Sequence, residues 1–122
     1  MRRPHHSDVC ATRAPTLTGL LLRYCQRVRY LAVTRRLGAA WDTSRPMAEQ
    51  EKFAEHASFM NALVADGFVV LGGPLGDGTR ILLIVDADTE GAVHARLAAD
   101  PWTPMGLLHV TTIEPWEVLL GG

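Results

Sequence analysis

Residues 68–86 read FVVLGGPLGDGTRILLIVD, and this stretch has the pattern of a β-hairpin. The runs at 68–71 and 80–86 are rich in aliphatic residues, which favour strands. Between them, residues 72–78 contain an Asp-Gly pair and three further glycines, which is typical of a hairpin loop. Because residues 81–85 are apolar at every position, we expect both faces of the second strand to be covered.

Two more strands are predicted outside this hairpin. Residues 28–34 are β-rich and partly alternate between apolar and polar side chains, which indicates the first strand. A loop is predicted to follow over residues 35–43. Residues 107–114 predict a fourth strand, and residues 116–120 a short edge piece.

Two helices are predicted between the strands. The first is expected to begin at Ser44, as N-cap, with Pro46 in its first turn, and to end at Gly67. The second is expected over residues 88–99, with Asp88 or Thr89 as the cap. The element order is therefore β-α-β-β-α-β, which predicts an α+β fold of the ferredoxin-like type.

This fold has a consequence for assembly. Two helices cover one face of the sheet, and residues 81–85 indicate that the other face is apolar too. A second copy of the chain is the simplest cover for that face. We therefore expect a homodimer in which two sheets pack face to face.

Composition narrows the function. The chain has 122 residues and a net charge of −1, enough for one domain with a modest core. Residues 1–27 hold five arginines against one aspartate, which leaves residues 28–122 at about −5, so we expect no nucleic acid partner. No apolar run approaches the roughly 20 residues of a membrane span. We expect a cytoplasmic protein without membrane contact.

The first 27 residues differ from the rest. They contain two prolines, scattered arginines and a short apolar patch, but no signal-peptide pattern. We interpret residues 1–27 as a flexible tail or as upstream sequence from a misassigned start, and residues 28–120 as the domain. Both cysteines, Cys10 and Cys25, lie in this segment, so neither a disulfide framework nor a cysteine zinc site is expected.

His56 and Asp100 are the candidates for chemistry. At 100° per residue, His56 falls on the apolar face of the first helix. It can be a general acid or base, a metal ligand, or a hydrogen-bonded core residue, and position alone favours the core residue. Asp100, in Ala-Asp-Pro-Trp at 99–102, can orient an imidazole or can simply end the second helix. Their spacing in the chain does not show whether they are neighbours.

Other candidates are weaker. His94 and His109 have no second ligand at the spacing of a metal site, so we expect no metal. The glycine stretch lacks the Gly-Lys-Ser/Thr of a phosphate-binding loop, and a plain turn is favoured, although residues 72–74 could approach a small ligand. Trp102 follows Asp100 closely and is expected at a pocket rim.

Four segments together resemble the YCII-related (YciI-like) proteins. They are YLAVTR at 30–35, EHASFM at 55–60, residues 67–74 with Gly-Gly-Pro, and ADPW at 99–102. The resemblance covers roughly residues 28–120. It implies a dimeric α+β barrel with a His-Asp active site, carried here by His56 and Asp100.

The resemblance also implies a type of reaction. One related enzyme eliminates chloride from a chlorinated hydroxyquinol, so acid-base elimination is within reach of the fold. We therefore expect a small, cofactor-free lyase or isomerase that acts on a small, for example aromatic, substrate. Gly73, Pro74 and Trp102 would form the pocket wall. The alternative is a non-catalytic ligand-binding or accessory domain of the same fold, and a haem-binding relative is a weaker third reading.

Overall fold

The structure, a computed structural model, describes residues 28–121. The interpretation of residues 1–27 as a tail or misassigned start lies outside these residues, as do both cysteines. Four strands form one antiparallel sheet in the order β2-β3-β1-β4, and two helices complete the domain. The elements are β1 (Val28–Leu37), α1 (Phe53–Ala65), β2 (Val69–Leu75), β3 (Arg80–Val85), α2 (Glu90–Leu97) and β4 (Leu108–Val118). The predicted ferredoxin-like α+β fold is confirmed.

The core lies between the sheet and the two helices. Leu31 and Val33 on β1 lie opposite Val85 and Leu83 on β3, and all four side chains are buried. The helices add Leu63 from α1 and Val93 and Leu97 from α2. Each fully buried aliphatic side chain stabilises the fold by roughly 1.5–3 kcal/mol relative to an exposed one.

The first strand is longer than predicted. Residues 35–37, which we expected to begin a loop, pair with β4, and residues 35 and 36 also pair with β3. Arg35 therefore continues the inward row of Leu31 and Val33, and it is buried. Because Arg35 is charged, the hydrophobicity pattern placed the end of the strand too early.

The first helix begins later than predicted, because the preceding loop has its own hydrogen bonds. Ser44 is not a helix cap: its backbone N–H and its hydroxyl both donate to the Asp42 carboxylate. A short 3-10 turn at Met47–Glu49 follows. Gln50 is extended, with ψ 151°, and its buried side chain binds the loop backbone. Lys52, in the left-handed region with φ 59°, then opens α1.

The hairpin loop is shorter than predicted. Residues 72–75 belong to β2, and the turn occupies residues 76–79. Pro74 is compatible with this strand because β2 lies at the edge of the sheet. A Cβ at Gly72 would lie 2.7 Å from Cδ2 of Leu83, so a larger residue there would require the Leu83 side chain to shift.

The second half of the chain follows the prediction more closely. Thr89 caps α2, and its hydroxyl oxygen accepts the backbone N–H of Ala92 at 3.1 Å. The helix ends at Leu97, two residues short of the expected end. The final strand, β4, runs on to Val118 and so includes Trp116, which we had expected in a separate edge piece.

The face of the sheet away from the helices carries exposed apolar side chains. Leu71 pairs with Ile84, and Trp116 pairs with Tyr30, so all four lie on this face. Leu71 is 66% exposed and Trp116 is 44% exposed. Within residues 28–121, no helix is long and apolar enough to cross a membrane.

Candidate functional site

His56 and Asp100 are in contact, although 44 residues separate them in the chain. Nδ1 of His56 lies 3.0 Å from Oδ1 and 2.9 Å from Oδ2 of the Asp100 carboxylate. His56 lies in the first turns of α1, and Asp100 follows the end of α2. The start of α1 and the turn after α2 therefore lie side by side, which the sequence spacing could not show.

The turn after α2 fixes the Asp100 carboxylate. The backbone N–H of Asp100 still donates to Leu97, so the helix closes with one more turn. Pro101 then prevents further helix. Oδ1 of Asp100 accepts the backbone N–H of Trp102 at 2.9 Å, and the side chain is completely buried. Termination of the helix and orientation of the carboxylate are therefore the same local feature.

Arg35 is a further member of this cluster that was not predicted from the sequence. Its Nη1 donates to Oδ2 of Asp100 at 3.1 Å, and its Nη2 donates to Oγ1 of Thr103 at 3.3 Å. The residue is only 1% exposed. One signal was available: Arg35 continues the period-two series of Leu31 and Val33, which is the inward face of a strand.

The indole of Trp102 stacks on the imidazole of His56. The two rings are parallel, with centroids 3.8 Å apart and planes 7° apart. The indole Nε1 donates to the backbone carbonyl of Glu51 at 2.7 Å. Because Trp102 is fully buried, the predicted rim position is wrong. Whether it also contacts a substrate stays a prediction.

The electrostatics of the pair favour an ionised Asp100. Burial alone would raise the pKa of Asp100. Hydrogen bonds from His56 and from the Trp102 N–H, with the charges of His56 and Arg35, outweigh it and hold that pKa below its usual value. Burial lowers the pKa of Arg35, while the charge and hydrogen bond of Asp100 act against this. A guanidinium nevertheless stays protonated in proteins.

An ionised Asp100 determines which nitrogen of His56 is free. A carboxylate only accepts hydrogen bonds, so Nδ1 carries the proton that faces it. The other nitrogen, Nε2, has no hydrogen-bond partner among the described residues. It is also not completely buried. The His56 side chain keeps 10% of its surface exposed. A neutral ring in this orientation can accept a proton at Nε2.

Gly73 and Pro74 lie on the edge strand, away from the dyad. Pro74 pairs with Ile81, which in turn pairs with Arg35, so Pro74 is two strand spacings, about 10 Å, from β1. A Cβ added to Gly73 would meet no atom within 4 Å. Their predicted contact with a substrate stays a prediction.

A surface groove and two exposed histidines lie away from the His56–Asp100 pair. An open groove of about 690 Å³ runs between the end of α1 and α2, where Phe68, Thr89 and Arg96 line it. This end of α1 is about 15 Å along the helix from His56. His94 and His109 are exposed. Residues 28–121 contain no group of three or more side chains suited to hold a metal ion.

Comparison with known proteins gives the family. No match to the chain is found among proteins of curated function. The family model for the YCII-related domain matches residues 28–117, which is more than half of the chain. The matched region includes His56, Asp100, Arg35 and Trp102, so the whole cluster lies within it. The chain therefore belongs to the YCII-related domain family.

Proposed function

We propose that this protein is a small, cofactor-free enzyme in which His56 and Asp100 transfer a proton on a small organic substrate, aromatic compounds included. The reaction would be of the lyase or isomerase type. One observation carries the proposal: the Asp100 carboxylate holds Nδ1 of His56, while Nε2 has no partner among residues 28–121 and is not completely buried. This is the arrangement that a general base needs.

A histidine buried only for packing would be expected to satisfy both ring nitrogens, since buried polar groups nearly always have partners. Here the carboxylate of Asp100 and the indole of Trp102 fix the ring in position and in plane. The unpaired nitrogen is thus presented in a defined direction. Such preorganisation supports a reactive group better than a structural one.

The proposed step begins with proton abstraction. Nε2 of His56 accepts a proton from a C–H or O–H bond, and the electron pair of that bond stays on the substrate. In an elimination, the pair forms a new double bond and expels a leaving group such as chloride. In an isomerisation, the protonated ring returns the proton at another atom. Asp100 stays ionised throughout and stabilises the charged ring.

We further propose that the protein works as a homodimer in the cytoplasm, with two sheets packed face to face. Exposure of Leu71 and Trp116 on the outer face of the sheet supports this arrangement. Gly73 and Pro74 lie on the edge strand β2. In the dimer they would form part of a pocket wall together with Trp102. Pro74 lies at the same level of the sheet as Arg35, which is consistent with that role.

The test is a substrate screen with matched variants. Purified full-length protein is incubated with chlorinated and hydroxylated aromatics and with lactones. His56→Ala should lower turnover about 10²- to 10⁴-fold, and Asp100→Asn should also lower it. His94→Ala is the control, because it removes an exposed imidazole and should leave turnover unchanged. Equal turnover in wild type and both site variants would remove the proposed roles.

The alternative function is non-catalytic binding of a small ligand. The depth of His56 favours it, since only 8% of the residue is exposed and the large groove lies elsewhere. This alternative predicts saturable binding of a screened compound without any product. Product analysis by mass spectrometry in the same screen separates the two functions.

A further inference from the structure

Arg35 is a charged group whose position is not explained by stability. It is 1% exposed on a central strand, in a row that otherwise holds aliphatic side chains. Its Nε is buried and has no hydrogen-bond partner among the described residues. Apolar residues of similar volume often stabilise a core as well as a buried ion pair does. The arginine therefore calls for a functional explanation.

The contacts of Arg35 couple it to the proton-transfer pair. Oδ2 of Asp100 accepts from Nη1 of Arg35 at 3.1 Å and lies 2.9 Å from Nδ1 of His56. Arg35 and His56 thus contact the same oxygen of the Asp100 carboxylate. Nη2 of Arg35 binds Thr103, whose hydroxyl donates to the Leu97 carbonyl, so the guanidinium is tied to the end of α2.

Arg35 raises the net charge of the site by one unit. With a neutral His56, Arg35 and Asp100 cancel, and the cluster becomes +1 when His56 takes a proton. Without Arg35, the same cluster would change from −1 to neutral. Glu51, Lys52 and Glu55, the other charged side chains near His56 in the chain, are exposed and screened by solvent.

We infer that Arg35 is a positioning residue for the pair: it anchors Asp100 as the acceptor of Nδ1–H and favours the neutral, proton-accepting His56. The resulting site suits neutral acids, such as phenols and enolisable carbonyl compounds, which leave an anion beside the protonated ring. The substrate class rests on the proposed function. The effect of Arg35 on His56 does not, so the two can fail separately.

The first experiment measures the ring of His56 without any substrate. Nitrogen-15 NMR of the full chain at neutral pH compares wild type, Arg35→Gln and Arg35→Lys, with His56→Ala to assign the signals. Loss of the charge in Arg35→Gln should raise the ratio of doubly protonated to neutral His56 by about tenfold or more. Arg35→Lys, which keeps the charge, should stay close to wild type. Val93→Ala, a core change in α2, controls for general destabilisation.

An unchanged ratio in Arg35→Gln, or an equal change in Val93→Ala, would overturn the positioning role. If Arg35→Gln does not fold, Arg35→Met replaces it, because an apolar chain of similar length fills the same space. The same rise in doubly protonated His56 is expected of that variant.

The second experiment tests the substrate class with p-nitrophenol, whose ionised form has its own visible absorbance. At a pH where the free phenol is mostly neutral, wild type should bind it largely as the phenolate. His56→Ala, which lacks the proton acceptor, should bind a smaller ionised fraction. An equal ionised fraction in His56→Ala, or no binding by wild type, would overturn the substrate class. The NMR result would still decide the role of Arg35 on its own.

Discussion

The imidazole of His56 lies flat on the indole of Trp102, with ring centroids 3.8 Å apart and planes 7° apart. The stacked pair joins the site to the core, because Trp102 is fully buried and also packs edge-on against Trp41 at 5.4 Å. The orientation of the candidate base thus depends on a residue that solvent does not reach.

Trp102→Ala should therefore damage both stability and function. Removing a buried tryptophan costs about 3–5 kcal/mol in the free energy of unfolding. Trp102→Phe should cost less, because an aromatic ring remains under His56, although the bond from Nε1 to Glu51 is lost. Thermal unfolding and a screen for turnover would measure both effects. An alanine variant as stable as wild type would contradict the packing role.

The pH dependence of stability follows from Asp100. Its pKa is lower in the folded protein than the usual value of about 3.9 for an unfolded chain. The pair therefore stabilises the fold fully above about pH 4, and this contribution is lost as the pH falls through the folded value. Urea unfolding at a series of pH values should show a decline in the acid range.

A matched variant separates this effect from other carboxylates. Asp42 and Asp77 also have a lowered pKa, because Ser44 and Thr79 donate hydrogen bonds to them. Asp100→Asn should be less stable than wild type at neutral pH and should lose less stability on acidification. If the curves of wild type and Asp100→Asn ran parallel, Asp100 would not be the source of the decline.

Much of the fold follows from the sequence because periodicity and turn residues report on local structure. The aliphatic run at 81–85 was sufficient for β3, and Asp88 or Thr89 as a cap was sufficient for the start of α2, where Thr89 is the cap. Errors arose where tertiary contacts determine the backbone. Gln50 binds its own loop and delays α1, and Pro74 stays in a strand because that strand is at the edge.

The site was only partly predictable for a related reason. His56 and Asp100 could be named from their types and from a family resemblance, but their contact depends on how two helix ends pack. Arg35 was missed because a buried cation needs a partner, and the chain does not show that Asp100 is that partner. Burial of Trp102 likewise results from packing against residues distant in sequence.

The two neighbouring glycines of β2 should respond differently to substitution. Gly72→Ala places a Cβ 2.7 Å from Leu83 and should destabilise the protein by about 1–3 kcal/mol. Gly73→Ala meets no atom within 4 Å and should be neutral or slightly stabilising. Thermal unfolding of the two variants checks this difference. If Gly73 also contributes to a pocket wall, Gly73→Ala would alter turnover without altering stability.

The proposed dimer predicts that the outer face of the sheet controls assembly. Trp116→Glu places a charge in an apolar contact between two sheets and should convert the protein to a monomer. Val64→Glu is the control, because Val64 is 54% exposed on α1, outside the sheet face. Sedimentation velocity should find a dimer for wild type and Val64→Glu and a monomer for Trp116→Glu. A wild-type monomer at all accessible concentrations, or a dimer of Trp116→Glu, would refute assembly through this face.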